Sequence, residues 1–126
     1  MLTKGFKTLL AEANAAVDRI EAAEAVKLAG RGDVVFVDVR ELHERQNGFI
    51  PGSVHAPRGF LEFIADPEAQ SHRPELASGK RLIVYCGSGA RSALAAKTLH
   101  EMGIANLANL AGGFNAWVQS GGPVER

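Results

Sequence analysis

The chain has 126 residues, which is enough to bury one hydrophobic core but leaves little material for a second domain. Hydrophobic residues make up 46% and charged residues 22%, as in ordinary globular proteins and unlike disordered or membrane chains. The 14 Lys and Arg residues balance 14 Asp and Glu residues, and no basic run stands out. The electrostatic signature of a protein that binds nucleic acid or a membrane surface is therefore absent.

The first residues read poorly as a secretory signal, because Glu12 and Asn14 interrupt their apolar character. No apolar run is long enough to span a bilayer. We therefore expect a cytoplasmic protein with no nucleic-acid or membrane partner. Cys86 is the only cysteine, which excludes an internal disulfide and a zinc site built on paired thiolates. The four histidines are scattered and lack the spacing of metal ligands.

The first third of the chain predicts two helices and a strand. Apolar residues recur at helical spacing over residues 5–28, with a break at Asp18. This pattern indicates an N-terminal helix, a short connection or strand near Ile20, and a second helix that ends at Gly30. Residues 34–39 (VVFVDV) are nearly continuous and β-branched, which is typical of a strand covered on both faces.

The middle of the chain mixes short elements with turns. We predict a short helix over residues 41–45, a short strand over residues 53–55 and a helix over residues 59–64. Residues 67–79 are polar and contain two prolines, so most of this segment is predicted to be a surface loop.

The last third repeats the order of strand and helix. Residues 81–85 (RLIVY) predict a second buried strand, and residues 91–102 predict a helix. Residues 107–110 predict the last strand, after which the Gly112-Gly113 pair turns the chain into a C-terminal helix. Strands that alternate with helices predict a single α/β domain with a mainly parallel central sheet and helices on both faces.

Cys86 follows the second buried strand directly, at the start of the segment CGSGAR. In an open α/β sheet, ligands collect beyond the carboxyl ends of the strands. Gly87 and Gly89 permit backbone angles with which amide N–H groups converge on one point, here the Cys86 sulfur. Those amides, the N-terminus of the next helix and the Arg91 guanidinium are expected to lower the pKa of the thiol. The pattern thus predicts a reactive thiolate.

Simpler interpretations exist for each of these residues. A lone cysteine at a strand end is more often a buried hydrophobic residue than a nucleophile, and glycines often only make turns. The Gly-Ser-Gly loop and the helix behind it favour the nucleophile. Arg91 is either a solvated helix residue or, as we prefer, a residue that faces a bound anion.

Three charged residues are further candidates near this edge of the sheet. Asp38 is predicted to form a structural ion pair with Arg40 beside the site, and Arg40 is also a candidate to face substrate. Arg58 is a candidate to neutralise an anionic donor. A salt bridge from Arg58 to Glu62, one helical turn on, is an equal alternative.

Four ordered motifs resemble the rhodanese-like single-domain sulfurtransferases over nearly the whole chain. They are VDVRE at 37–41, FIPGSVHAP at 49–57, VYCGSGARSALAAKTL at 84–99 and LAGGFNAW at 110–117. The resemblance implies a rhodanese-like domain over residues 19–126. Residues 1–18 are then expected to be an N-terminal helical extension.

The resemblance also implies roles for the loop. The family's nucleophile falls on Cys86, its six-residue active loop on residues 86–91, and its small hydroxyl residue on Ser92. The substrate-binding positions of the loop interior are Gly87, Ser88, Gly89 and Ala90. This interior is uncharged, unlike that of the best-known members of the family, which weakens the case for thiosulfate as the physiological donor.

The family chemistry is a double displacement. The Cys86 thiolate attacks the outer sulfur of a small donor such as thiosulfate, sulfite leaves, and the resulting persulfide passes its sulfur to cyanide or a cellular thiol. No metal or organic cofactor takes part. A related alternative is sulfur relay, in which another protein is the sulfur acceptor.

Two other kinds of function remain as alternatives. Phosphatases and arsenate reductases of the same fold have a loop one residue longer, so the four residues between Cys86 and Arg91 favour sulfur over phosphate. A binding module that keeps the fold without catalysis ranks last, because such domains often lose the cysteine.

Overall fold

Five parallel strands form one sheet in the order β1-β5-β4-β2-β3. The computed structural model describes all 126 residues. The strands are β1 (Asp18–Ile20), β2 (Val34–Asp38), β3 (Val54–His55), β4 (Arg81–Tyr85) and β5 (Leu107–Leu110). The helices are α1 (Phe6–Ala16), α2 (Ala22–Val26), α3 (Leu42–Arg45), α4 (Leu61–Ala65), α5 (Ala90–Glu101) and α6 (Gly113–Gln119). None of them has both the length and the apolar character that crossing a bilayer requires.

The α/β class with a parallel sheet is confirmed, and the elements differ from the predicted ones mainly at their ends. The second helix is shorter than predicted, because α2 ends at Val26 and turns lead to Gly30, whose φ is +78°. A 3-10 turn over Pro74–Ala77 interrupts the predicted surface loop and buries Leu76, which is 2% exposed. That leucine closes one edge of the core, so the segment contributes to packing.

The sheet is covered on both faces, as the sequence predicts. Helices α1, α4 and α5 pack together on one face, whereas α2 and α6 pack together on the other. Along β4, Leu82 and Val84 belong to the core on the first face, and Ile83 and Tyr85 belong to the core on the second. All four side chains are at most 1% exposed. This burial explains why the strand is apolar at every position instead of at alternate positions.

The strand order places β4 at the centre of the sheet, between β2 and β5. The residue after β4 therefore lies between the loops that follow the two neighbouring strands. This is the part of an open parallel sheet where loops from both sides can enclose a ligand. Cys86 occupies that position.

A buried carboxylate connects the elements around this edge of the sheet. Asp38, at the end of β2, is 0% exposed and accepts hydrogen bonds from Arg40 (3.0 and 2.9 Å), Arg45 (3.2 Å) and the Tyr85 hydroxyl (3.0 Å). Burial opposes ionisation of this carboxyl, but the hydrogen bonds from Arg40 outweigh burial and lower the pKa of Asp38. One ionised side chain thus joins β2, α3 and β4.

Replacing this carboxylate by an amide tests its structural role. Asp38→Asn is expected to lower the free energy of unfolding by about 3–5 kcal/mol, because the Arg40 charge would stay buried without its partner. Urea denaturation at neutral pH measures the change. The control is Asp33→Asn, which breaks an exposed pair with Arg31 at the same two-residue spacing and is expected to leave the midpoint nearly unchanged. Equal losses in the two variants would contradict the role assigned to Asp38.

Candidate active site

The Cys86 sulfur lies at the floor of the loop formed by residues 86–91. The residue is only 1% exposed, so the sulfur lies below the loop and not on the protein surface. Its Sγ accepts hydrogen bonds from the Gly89 amide (3.1 Å), the Ser92 amide (3.4 Å) and the Ser92 hydroxyl (3.3 Å). The buried sulfur is therefore surrounded by donors on the side of the loop and helix α5.

These donors determine the ionisation of the thiol. Burial raises the pKa of Cys86, but the hydrogen bonds from the Ser92 hydroxyl and from the amides of Ser92 and Gly89, together with the nearby Ser88 amide, outweigh burial. The pKa of the thiol is consequently below its ordinary value, in the direction that the sequence predicts. A thiolate at this position is stabilised by backbone dipoles and one hydroxyl.

The loop keeps this shape because its carbonyl groups are bound on the outer side. Three of them accept hydrogen bonds from later parts of the chain: Cys86 O from the Phe114 amide (2.8 Å), Gly87 O from the Asn115 amide (3.1 Å) and Gly89 O from Asn109 Nδ2 (3.1 Å). All peptide bonds are trans, and a trans peptide directs its N–H group opposite to its carbonyl. The N–H groups of the next residues, Gly87, Ser88 and Ala90, therefore point away from α6 and Asn109.

The Gly112-Gly113 turn brings the start of α6 into backbone contact with the loop. Gly113 has a φ of +60°, and a Cβ atom there would lie 2.6 Å from Cys86 O. Since no side chain fits in this gap, glycine is required for the contact as well as for the turn. The sequence predicts only the turn. The feature of the sequence that indicates a close contact is that Gly113 follows Gly112, because one glycine suffices for most turns.

Asn109 is a site residue that the sequence pattern does not reveal. It lies on β5, is 6% exposed, and its Oδ1 accepts a hydrogen bond of 2.6 Å from the Ser92 hydroxyl. That hydroxyl has a single hydrogen and two acceptors within reach, Asn109 Oδ1 and Cys86 Sγ. The one indication in the sequence is that Asn109 places an amide side chain within a short strand. This strand is fully buried, and a buried polar group needs a specific partner.

Arg91 lies at the rim of the loop and is paired with Glu44. Its two terminal nitrogens donate to the Glu44 carboxylate at 2.7 and 2.9 Å. Glu44 is the main group that raises the pKa of Arg91, and the Cys86 sulfur contributes in the same direction. The sequence predicts an arginine that faces a bound anion, whereas the Arg91 nitrogens already face a carboxylate of the protein. The hydrogen bonds from Arg91 lower the pKa of Glu44 to about 2, so the pair is charged at neutral pH.

Two clefts border the loop on either side of Ser88. The larger, of about 470 Å³, is lined by side chains that include Arg40, Glu44 and Arg91. The smaller, of about 220 Å³, is lined in part by Leu10 and Asn14 of α1. The N-terminal helix therefore forms one wall beside the loop.

The remaining predicted residues lie at different distances from the sulfur. Arg40 is 4% exposed and is held by Asp38 and by the Gly48 carbonyl (2.9 Å). Arg58 pairs with Glu62 at 3.2 Å and also donates to Thr98. Thr98 lies six residues beyond Ser92, about 9 Å along α5, so the structure does not bring Arg58 to the loop. The described side chains contain no cluster of metal-ligand type.

The fold and the loop define a class of protein: a small α/β domain with its only thiol in the loop after the central strand. The model of the Rhodanese-like domain matches residues 21–120, and the chain belongs to this family. A sulfurtransferase of Allochromatium vinosum is 32% identical over 98 residues, which is 78% of this chain and 84% of that protein. The thiosulfate:glutathione sulfurtransferase of Saccharomyces cerevisiae is 39% identical over 103 residues, or 76% of this chain and 74% of that protein.

A solved structure extends the similarity to the N-terminal helix. It is that of a protein of unknown function from Rhodopseudomonas palustris, described as a possible tyrosine phosphatase. The two chains are 43% identical with a TM-score of 0.94, and the match covers 99% of this chain and 97% of that one. Together, the family and the curated relatives support a sulfurtransferase or sulfur-carrier function.

Removing one donor tests how the thiolate is stabilised. Ser92→Ala is expected to raise the pKa of Cys86, because the variant loses the hydroxyl that donates to the sulfur. The ultraviolet absorbance of the thiolate, followed against pH, measures this change, and Cys86→Ser supplies the blank because the chain has one cysteine. Ser78→Ala, which removes a hydroxyl from an exposed turn, is the control. An unchanged pKa in Ser92→Ala would exclude the hydroxyl as a stabilising group.

Filling the gap at Gly113 tests the contact between α6 and the loop. Gly113→Ala is expected to lower sulfur transfer from thiosulfate to cyanide about a hundredfold, because a small displacement of reacting groups is that costly. Gly30→Ala is the control, since Gly30 also has a positive φ of +78° but no atom within 4 Å of an added Cβ. Circular dichroism verifies that both variants are folded. A folded Gly113→Ala variant with full activity would contradict the proposed constraint.

Proposed function

We propose that the protein is a sulfurtransferase that carries sulfane sulfur as a persulfide on Cys86. The observation that supports it is the sulfur itself: the only thiol of the chain accepts two amide hydrogen bonds and one hydroxyl hydrogen bond within the loop. A buried thiol without a chemical role does not need three donors. A nucleophilic thiolate does, because each donor offsets part of the cost of burying its charge.

In the first half-reaction, the Cys86 thiolate attacks the outer sulfur of thiosulfate. A bond forms between the two sulfur atoms, the sulfur–sulfur bond of thiosulfate breaks, and its electron pair leaves with sulfite. In the second half-reaction, cyanide attacks the outer sulfur of the persulfide, and thiocyanate leaves while the Cys86 thiolate is restored. A cellular thiolate takes the place of cyanide in the same step.

The loop stabilises the negative charge both in the resting thiolate and in the persulfide. In the resting state, Gly89 and Ser92 donate to the Cys86 sulfur. In the persulfide state, the charge moves outward to the second sulfur, toward the amides of Gly87, Ser88 and Ala90. Their dipoles need no rearrangement, because the carbonyls of the loop are held from outside by Asn109 and by the first amides of α6.

Sulfur relay is the closest alternative, in which the donor or the acceptor is another protein. The Cys86 chemistry is the same, and only the identity of the nucleophile differs. Either version suits the cytoplasm, where thiols are kept reduced. The two differ in rate, because a relay protein transfers to its partner faster than to cyanide.

A phosphatase is the second candidate, since the Rhodopseudomonas palustris protein is described as a possible tyrosine phosphatase. Two features of this chain speak against it. The loop has only four residues between Cys86 and Arg91, and the guanidinium that would bind a phosphate dianion is paired with Glu44. Rapid hydrolysis of a phosphate ester, lost in Cys86→Ser, would overturn the proposal.

Intact mass measurement tests the sulfurtransferase directly. After incubation with thiosulfate and removal of the excess, the wild-type protein is expected to gain the mass of one sulfur atom. Addition of cyanide should remove that mass and release an equal amount of thiocyanate. Cys86→Ser is expected to gain nothing and to lose sulfur transfer completely, because no other thiol is present.

Two outcomes contradict the proposal. One is a wild-type protein whose mass is unchanged by thiosulfate and by a small-molecule persulfide. The other is a gain of sulfur that Cys86→Ser retains.

A further inference from the structure

The Glu44 carboxylate lies directly over the rim of the loop. Its two oxygens accept from Arg91 at 2.7 and 2.9 Å, and Oε2 lies 4.0 Å from the position of a Cβ atom on Gly87. Oε1 also accepts from the Glu41 amide at 3.1 Å, so α3 holds the carboxylate in place. Arg91 Nη2 lies 3.4 Å from the same point, so a fixed ion pair, and not a free cation, stands beside the loop that surrounds the sulfur.

The positive charges that line the larger cleft all belong to ion pairs. The two arginines that line the cleft both face carboxylates, Arg91 on Glu44 and Arg40 on Asp38. The loop interior, residues 87–90, carries no charged side chain. Because the pKa of Glu44 is about 2, the carboxylate keeps its charge throughout the pH range in which the thiolate reacts. An approaching anion therefore meets the donors of the loop and an arginine that Glu44 already engages.

We propose that Glu44 sets the donor specificity of the site by engaging Arg91, so that the protein favours persulfides of thiols over dianionic donors such as thiosulfate. This inference rests on the proposed sulfur transfer and adds the class of donor to it. A dianion must displace Glu44 from Arg91 or enter beside an ion pair that has no net positive charge. A persulfide carries at most one charge on its reacting group, so its binding does not require Arg91 to leave Glu44.

Sulfur transfer from a persulfide to Cys86 needs no further reactant. The Cys86 thiolate attacks the outer sulfur of R–S–SH, and a new sulfur–sulfur bond forms. The bond to the inner sulfur breaks, its electron pair leaves as the thiolate R–S⁻, and the proton stays on the transferred sulfur. The total charge is one negative unit before and after.

The matched substitution Glu44→Gln tests this inference. Glutamine keeps an oxygen for the Glu41 amide but removes the charge, so Arg91 becomes available to an anion. The second-order rate of sulfur loading on Cys86, measured by intact mass, is compared for thiosulfate and for the persulfide of 2-mercaptoethanol, whose side chain is uncharged. Glu44→Gln is expected to raise the thiosulfate rate about tenfold and to change the persulfide rate less than about twofold, because only the dianion senses the lost charge.

Ionic strength gives a second readout. In Glu44→Gln the thiosulfate rate is expected to fall as salt is added, because salt screens the new attraction to Arg91. The control is Glu75→Gln, which frees Arg73 from an exposed pair of 2.8 Å in the segment before β4. This variant loses the same charge and is expected to match wild type with both donors.

The outcomes separate this inference from the proposed function. If neither donor transfers sulfur to wild-type Cys86, the proposed sulfurtransferase function is wrong, and so is the role proposed for Glu44. If wild type is loaded but Glu44→Gln leaves the thiosulfate rate unchanged or lower, sulfur transfer stands and the specificity role is wrong. Equal changes for the two donors would also overturn it, because they would indicate a general distortion of the loop.

Discussion

The backbone contact between the loop after β4 and the turn before α6 is the constraint on which the site depends. Two amides at the start of α6 bind the carbonyls of Cys86 and Gly87, and the contact leaves no room for a side chain on Gly113. A loop fixed from outside presents its amides to the inside without rearrangement, as electrostatic stabilisation requires. The shape of the loop around the sulfur therefore depends on residues at the start of α6, well beyond the loop in the sequence.

The polar groups beneath this contact form two separate arrangements. Asn109 and Ser92 determine how strongly the Cys86 sulfur is hydrogen-bonded, because the single hydrogen of the Ser92 hydroxyl is shared between Asn109 Oδ1 and the thiol. Asp38 and Arg40 fix the neighbouring loop, and the Arg40 guanidinium lies 4.5 Å over the Phe114 ring at the start of α6. This cation–π contact joins the buried ion pair to the helix that holds the loop, so stability and geometry are coupled there.

Most elements of the fold could be predicted from the sequence, because β2 and β4 are short apolar runs that follow glycines and polar residues. β1 has one buried residue of three and is predicted only as a short connection or strand. The position of Cys86 and its loop could be predicted as well, because a buried strand runs directly into the Gly-Ser-Gly segment. Glu44 and Asn109 could not. Both reach the site across large separations in sequence, 47 residues from Glu44 to Arg91 and 17 from Ser92 to Asn109. Periodicity reports only local structure, so such partners require the folded chain.

The position of β1 at the edge of the sheet has a consequence for how the chain folds. β1 pairs only with β5, and Asp18 lies opposite Ala108 in that register. A ribosome must therefore synthesise the chain through β5 before β1 acquires a neighbour. Contacts of such long range slow folding, because the intervening chain loses much of its freedom before any pairing is gained. During that interval the nascent N-terminal segment has an unpaired strand edge, a natural substrate for chaperones.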